Sequence, residues 1–268
     1  MIEFEQISRS YGDRVAVDDL NLTIAPGELF AFLGPNGAGK TTTIKMAVGL
    51  LQPNLGSVRI CGFDIAKHPR LAKRRISYVP DEPHLYDKLT GREFLQFISD
   101  MYGMDAKAGR KELATQIERF ELSAFADELT ETYSHGMKQR LVFAAALLHH
   151  PEVLIVDEPM VGLDPKSIRL VKDLLREKAD SGTTVFMSTH TLAVAEEIGD
   201  RIGIIDHGKI KFVGTIEELE KSLAQQQSTL ERMFLELTES GEDPYSATLP
   251  ERANHTHPEK HQRAIRDS

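Results

Sequence analysis

The segment Gly34-Pro35-Asn36-Gly37-Ala38-Gly39-Lys40-Thr41 constrains this chain more than any other feature. It fits the spacing G-x-x-x-x-G-K-[ST], in which glycines let successive backbone N–H groups turn inward around phosphate oxygens. The run Glu28 to Leu33 just before it reads as a β-strand, and a helical pattern begins at Lys40. Strand, glycine loop and helix in that order set a positive helix N-terminus over the phosphates. Lys40 then reaches the β- and γ-phosphates of a nucleotide, and the Thr41 hydroxyl ligates Mg²⁺. The expected nucleotide contacts run from Gly34 through Thr42. The bland alternative is a flexible glycine loop, which the strand and helix on either side disfavour.

A second feature supplies what a phosphate loop lacks. Val153-Leu154-Ile155-Val156 is an apolar run ending in Asp157 and Glu158. A buried strand puts those carboxylates at the carboxyl edge of a sheet, where ligands collect. Asp157 is expected to hold Mg²⁺ through water, and Glu158 to orient and deprotonate an attacking water. Taken alone, the pair could be a solvated acidic turn; beside a phosphate loop it reads as the hydrolytic end of a nucleotide site.

The rest of the chain alternates. Phe4–Ile7, Leu20–Ile24, Val58–Ile60 and Ile76–Val79 read as strands. Thr90 and Glu93 form a capping box ahead of a helix, a second helix covers about Lys111 to Glu121, and a third follows Gly136 as far as His150. After Val153–Val156 come a helix over Ser167–Ala179, a strand over Thr184–Met187 and a helix over Ala193–Ile198. Two short β runs flank Asp206–Lys209, and a last capping box spans Thr215–Glu218. This predicts an α/β nucleotide-binding core with a helical insertion from about 82 to 150. From Ser240 the chain is polar, carries three prolines and lacks periodicity, which predicts a disordered tail over 240–268.

Composition closes off several classes. The net charge of -9 argues against a nucleic-acid binder. The single cysteine, Cys61, excludes an internal disulfide framework, fits a reducing cytosol, and is expected as a buried, inert strand thiol. The first residues show no signal-peptide core. The longest apolar run, Leu141–Leu148, is far short of the ~20 residues a spanning helix needs. The chain is therefore expected neither to enter nor to cross a membrane by itself.

Ser134-His135-Gly136-Met137-Lys138-Gln139-Arg140-Leu141 resembles the signature motif of ATP-binding-cassette (ABC) proteins, and it precedes Asp157-Glu158 at the family's spacing. Other motifs of that family follow in order. Tyr11 looks like the aromatic that stacks on adenine, Asp81 stands at the Q-loop position, Gly162-Leu163-Asp164 looks like the D-loop, and His190 looks like the switch histidine. Each has a bland alternative: a loop tyrosine for Tyr11, a turn-capping histidine for His190, a helix cap for Ser134.

The resemblance implies a P-loop NTPase (RecA-like) core within residues 1–239, with an N-terminal antiparallel β subdomain and an inserted α-helical subdomain. It implies that Glu158 and His190 serve catalysis, and that Thr41, Asp157 and Asp81 are candidate Mg²⁺ ligands. Ser134, His135, Gly136, Met137 and Asp164 would meet the ATP held by a second copy of the chain. The partners implied are ATP, a homodimeric second subunit and a separate membrane permease, with the chain on the cytoplasmic face of the membrane.

Two positions depart from the family pattern: His135 replaces the signature's first glycine, and Asp81 the usual glutamine. Both resemble bacterial single-cassette exporters. The alternative is a soluble cassette acting in translation, repair or assembly. It lacks support in a chain with one cassette and no heptad run. A small-molecule kinase would leave Ser134–Met137 unexplained. Among the apolar residues near Asp81, Phe94 and Phe97 are expected inside the insertion, with at least one of Leu85, Tyr86 and Leu89 exposed for docking the permease.

Overall fold

The computed structural model describes residues 1–224. Strands β1 (Ile2–Tyr11) and β2 (Arg14–Ile24) form an antiparallel hairpin around the Gly12 turn, with Ile2 opposite Ile24 and Tyr11 opposite Arg14. Strand β3 (Leu29–Leu33) follows, then helix α1 (Lys40–Ala47), β4 (Leu55–Ile60) and the short β5 (Phe63–Asp64). Next come α2 (Pro69–Lys73) and β6 (Ile76–Val79). The helical insertion contributes α3 (Gly91–Met101), α4 (Ala106–Arg119) and α5 (His135–Leu147). The chain then alternates through β7 (Val153–Val156), α6 (Pro165–Asp180), β8 (Thr184–Thr189), α7 (Leu192–Ile198), β9 (Arg201–Asp206), β10 (Lys209–Gly214) and α8 (Ile216–Ala224).

Two sheets result. One is antiparallel, in the order β2-β1-β4-β5; the other runs β10-β9-β3-β8-β7-β6, parallel except for β10. Strands β3, β7 and β8 are buried along their whole length, as near-continuous apolar sequence demands when both faces are covered. The antiparallel sheet covers one face through Phe4, Phe30, Phe32 and Phe186, whose ring centroids lie 5.5 to 6.5 Å apart in edge-on and tilted pairs. Helices α5, α6 and α7 and the insertion cover the other, around Leu154, Val156, Leu175 and Val185. Helix α5 is apolar on every side from Leu141 on and is buried accordingly.

Helix starts follow their caps. The Thr90–Glu93 box closes reciprocally at α3, and Thr215 and Glu218 do the same ahead of α8. Helix α4 begins at Ala106, earlier than its apolar pattern predicts, because the Asp105 carboxylate accepts from Lys107 and Ala108 N–H. Cys61 corrects its expectation: it is half-buried and sits in a turn just after β4, with φ at 47°. Burial raises its thiol pKa, which keeps it unreactive. Phe94 is buried as expected, whereas Phe97 lies at the rim, edge-on to exposed Tyr86 at 5.4 Å. Among the described residues no helix is long and apolar enough to cross a membrane. The segment 240–268 lies outside the described residues.

Candidate functional site

The parallel register brings three strand ends together. Strand β3 lies between β9 and β8, and β8 next to β7, so the loops after Leu33, Val156 and Thr189 emerge side by side. The first loop is the glycine-rich one. A Cβ at Gly34 would come within 2.3 Å of the Ile205 carbonyl oxygen, and Gly39 combines φ of 113° with a carbonyl, that of Ala16, at 2.5 Å from a built Cβ. Neither position accepts a side chain. Gly39 is the N-cap of α1 and offers no side-chain cap, so the first N–H groups of the helix lack partners of their own, the condition for holding an anion.

Lys40 is 6% exposed. Its Nζ donates to the carbonyl oxygens of Gly34 at 2.7 Å and Pro35 at 3.1 Å, and pairs with Glu158 Oε1 at 3.3 Å. The other carboxylate oxygen of Glu158, Oε2, accepts from His190 Nδ1 at 2.9 Å. Glu158 is thus gripped between a lysine from the loop after β3 and a histidine from the loop after β8. Its own backbone is left-handed, at φ 46°.

Asp157 directly follows β7 and is 1% exposed. Its N–H donates to the Val79 carbonyl, and its Oδ1 accepts from Ser188 Oγ at 2.5 Å. Its Oδ2 is buried without a hydrogen-bond partner. A buried carboxylate oxygen with no donor is a costly group in need of one, and a cation or its bound water meets that need. Asp81 stands at the edge of the same cleft. Partial burial first, then the charges of Asp157, Glu158 and Glu82, raise its pKa, while His135 opposes the shift. Among the described residues no three His, Cys, Asp or Glu side chains converge to hold a metal by themselves. The donor set therefore suits an ion that takes one or two protein oxygens and completes its shell with phosphates and water, as Mg²⁺ does.

Tyr11, Arg14, Pro35, Asn36, Gly37, Gly39, Lys40, Thr41, Thr42, Asp81 and Glu158 line one cleft, with Gly34 and Ala38 buried beneath it. Tyr11 is half-exposed, and the Arg9 guanidinium lies 5.1 Å from its ring centre. Sequence reasoning missed two residues here. Arg14 approaches the loop within 3.4 Å of a Cβ built on Gly37; its signal is only a place just past a glycine turn. Ser188 is a hydroxyl two residues before His190, and nothing but the pairing of β7 with β8 sets it beside Asp157.

The signature residues lie elsewhere within the chain. Ser134, Gly136, Met137 and Asp164 border a separate cavity between α5 and α6. Ser134 caps α5 by accepting from Met137 N–H at 3.3 Å; Asp164 caps α6 and accepts from Ser167 Oγ at 2.6 Å, the bond that most lowers its pKa. His135 turns the other way. It lines a cleft with Asp81, Glu82 and Gly162, its Nε2 3.4 Å from a Cβ built on Gly162.

A parallel sheet whose strand ends carry a phosphate loop, a buried aspartate and a lysine-bound glutamate defines a P-loop nucleotide hydrolase. The family model described as "ABC transporter" matches residues 17–161. The linearmycin resistance ATP-binding protein LnrL of Bacillus subtilis (strain 168) is 40% identical over 219 residues, covering 82% of this chain and 70% of the relative. A solved ATP-binding subunit of an ABC transporter superposes with a TM-score of 0.82 at 32% identity, covering 88% of this chain and 99% of that one. A dimeric ATP-binding cassette captured after hydrolysis with ADP and phosphate gives 0.73 at 26% identity over 81% of this chain and 99% of that one. The chain belongs to the ATP-binding subunits of ABC transporters and is an ATPase of that family.

Proposed function

We propose that this chain drives export by a membrane permease, and that it does so by closing two copies of itself over two ATP molecules. The observation that carries the reading is the grip on Glu158, held by Lys40 on one side and His190 on the other. In this reading Tyr11 stacks on the base, and the backbone N–H groups from Gly34 to Thr42, with Lys40, hold the phosphates. Thr41 and Asp157 would hold Mg²⁺, with Asp81 near enough to bias it. Bound there, the ion would offset charge on the β- and γ-phosphates. Glu158 accepts a proton from water as the water oxygen bonds to the γ-phosphorus and the bond to the ADP oxygen breaks. His190 orients Glu158 and senses the γ-phosphate.

Ser134, His135, Gly136, Met137 and Asp164 would complete the site of the opposite copy; the separate cavity bordered by Ser134, Gly136, Met137 and Asp164, apart from the cleft at this chain's own loop, favours this. Export is supported by the drug-resistance relative and by Asp81 and His135, the two departures that resemble single-cassette exporters. The permease would dock beside Asp81 to Leu89. There Tyr86 is 58% exposed next to Phe97, while Leu85 and Leu89 pack inward. Docking of this kind would hold the chain at the cytoplasmic face of the membrane.

The test is Glu158→Gln. The amide keeps the size and loses the base, so turnover should fall about 10²- to 10⁴-fold with ATP affinity retained. Gel filtration with ATP should then give a stable dimer. Unchanged turnover would remove Glu158 from the chemistry, and a monomer with ATP bound would remove the homodimer.

A further inference from the structure

We infer that Ser188 is a positioning residue whose one hydroxyl gives Asp157 and Glu158 their different tasks. The inference rests on reading the cleft as a hydrolytic nucleotide site. Ser188 is wholly buried on β8. Strand pairing sets Val156 opposite Met187, so the next residues, Asp157 and Ser188, fall side by side.

A hydroxyl has one hydrogen to give and lone pairs to receive with. Ser188 gives its hydrogen to Asp157 Oδ1 at 2.5 Å and receives the Glu158 N–H at 2.9 Å. The first bond pins Asp157 by one oxygen and leaves Oδ2 as the one with no donor from the protein. Asp157 therefore presents a single oxygen in a fixed orientation to a cation or its water. The second bond anchors the residue at which the chain turns left-handed, φ 46°, and so carries the Glu158 side chain to Lys40 and His190. Without the hydroxyl, Asp157 can rotate and the Glu158 N–H loses its acceptor. Groups behind a metal ligand commonly alter metal affinity or activity by about 10- to 100-fold.

The experiment compares full-length wild type, Ser188→Ala and Ser188→Thr. Mn²⁺ affinity is read by electron paramagnetic resonance with a non-hydrolysable ATP analogue bound. Analogue affinity is read separately in chelator, and melting temperature and ATP turnover alongside. Ser188→Ala should weaken Mn²⁺ binding about tenfold and lower kcat by a similar factor, leaving metal-free analogue affinity unchanged. Ser188→Thr restores the hydroxyl and should recover most of both. Mn²⁺ affinity and kcat within twofold of wild type in Ser188→Ala would overturn the inference. Equal losses in both variants, tracking a fall in melting temperature, would also overturn it, by assigning the effect to packing. Mn²⁺ affinity is read without turnover. A wild type that fails to hydrolyse ATP would therefore sink the hydrolytic reading and leave the Ser188 comparison standing.

Discussion

The phosphate loop and the signature segment are both helix N-termini, yet they are built on opposite terms. At the first, groups from distant parts of the chain converge: buried Lys40 on Glu158, buried Ser188 on Asp157, and His190, itself exposed, on Glu158. Two buried carboxylate oxygens, Asp157 Oδ2 and Glu158 Oε1, have no hydrogen-bond partner, the second being ion-paired with Lys40, and the Glu158 backbone is left-handed. At the second, the two capping side chains bond their own helices within three residues, Ser134 to Met137 and Asp164 to Ser167. These side chains are exposed and nothing is strained there. The first region is assembled for chemistry within a single chain. The caps of the second are satisfied locally, which fits the proposal that they meet the ATP held by a second copy of the chain.

The sharpest way to break this contrast is Lys40→Ala. It removes the cation proposed to meet the phosphates and leaves Glu158 with His190 alone. Hydrolysis should fall roughly 10²- to 10³-fold, as when a main transition-state donor is removed, and nucleotide affinity should fall with it. Undiminished turnover would show that the loop is not the phosphate site.

A mixture sharpens the same contrast. Lys40→Ala spoils only the first region and Ser134→Arg only the second, so each alone should be inactive. Mixed in equal amounts they form heterodimers, each with one intact loop facing one intact signature. Activity should return to at most about a quarter of wild type, since half the dimers are mixed and each has one sound site. Activity equal to the mean of the two variants would show that each signature serves its own chain, or none.

The smallest effect concerns the joint between the regions. His149 stacks on Tyr102 at 3.6 Å and donates from Nε2 to the Ile76 carbonyl. Burial lowers its pKa to about 4. A lowered folded value means that the unfolded chain binds the proton first. This stability is present in full above pH ~6.5 and is lost as pH falls toward 4. Allowing for the part of the ring that water reaches, the loss is roughly 2 kcal/mol. Unfolding free energies from denaturant titrations at pH 7.5 and 5 take in just over half of that window and should differ by roughly 1 kcal/mol more in wild type than in His149→Phe, which keeps a ring and loses the titration. Parallel pH profiles would remove His149 as the cause.

What was legible in the sequence divides along the same line. Whatever is decided within a turn of chain could be read directly: the loop from Gly34, the helix from Lys40, the boxes at Thr90 and Thr215, the Ser134 cap. Whatever depends on lateral pairing could not. Ser188 and Arg14 carry no local pattern; register and folding back give them their neighbours. The rim position of Phe97 and the turn of His135 toward Gly162 likewise follow from how the insertion sits on the core. The early start of α4 was local and was still missed, because Asp105 caps it two turns ahead of Leu113, its first buried leucine.

Helix α5 has a mechanical consequence. It is about 20 Å long by the rise of its 13 residues, and the surrounding core clamps it along its apolar length. A rod held so tightly does not flex, and it pivots or shifts as one piece. One end carries Ser134. Near the other, the Ala146 carbonyl takes the Ser77 hydroxyl, and His149 rests on the Ile76 carbonyl of the strand that runs out to Asp81. A push at the signature end is thus passed to the first residues of the strand that leads to the Asp81 loop, one lever arm away.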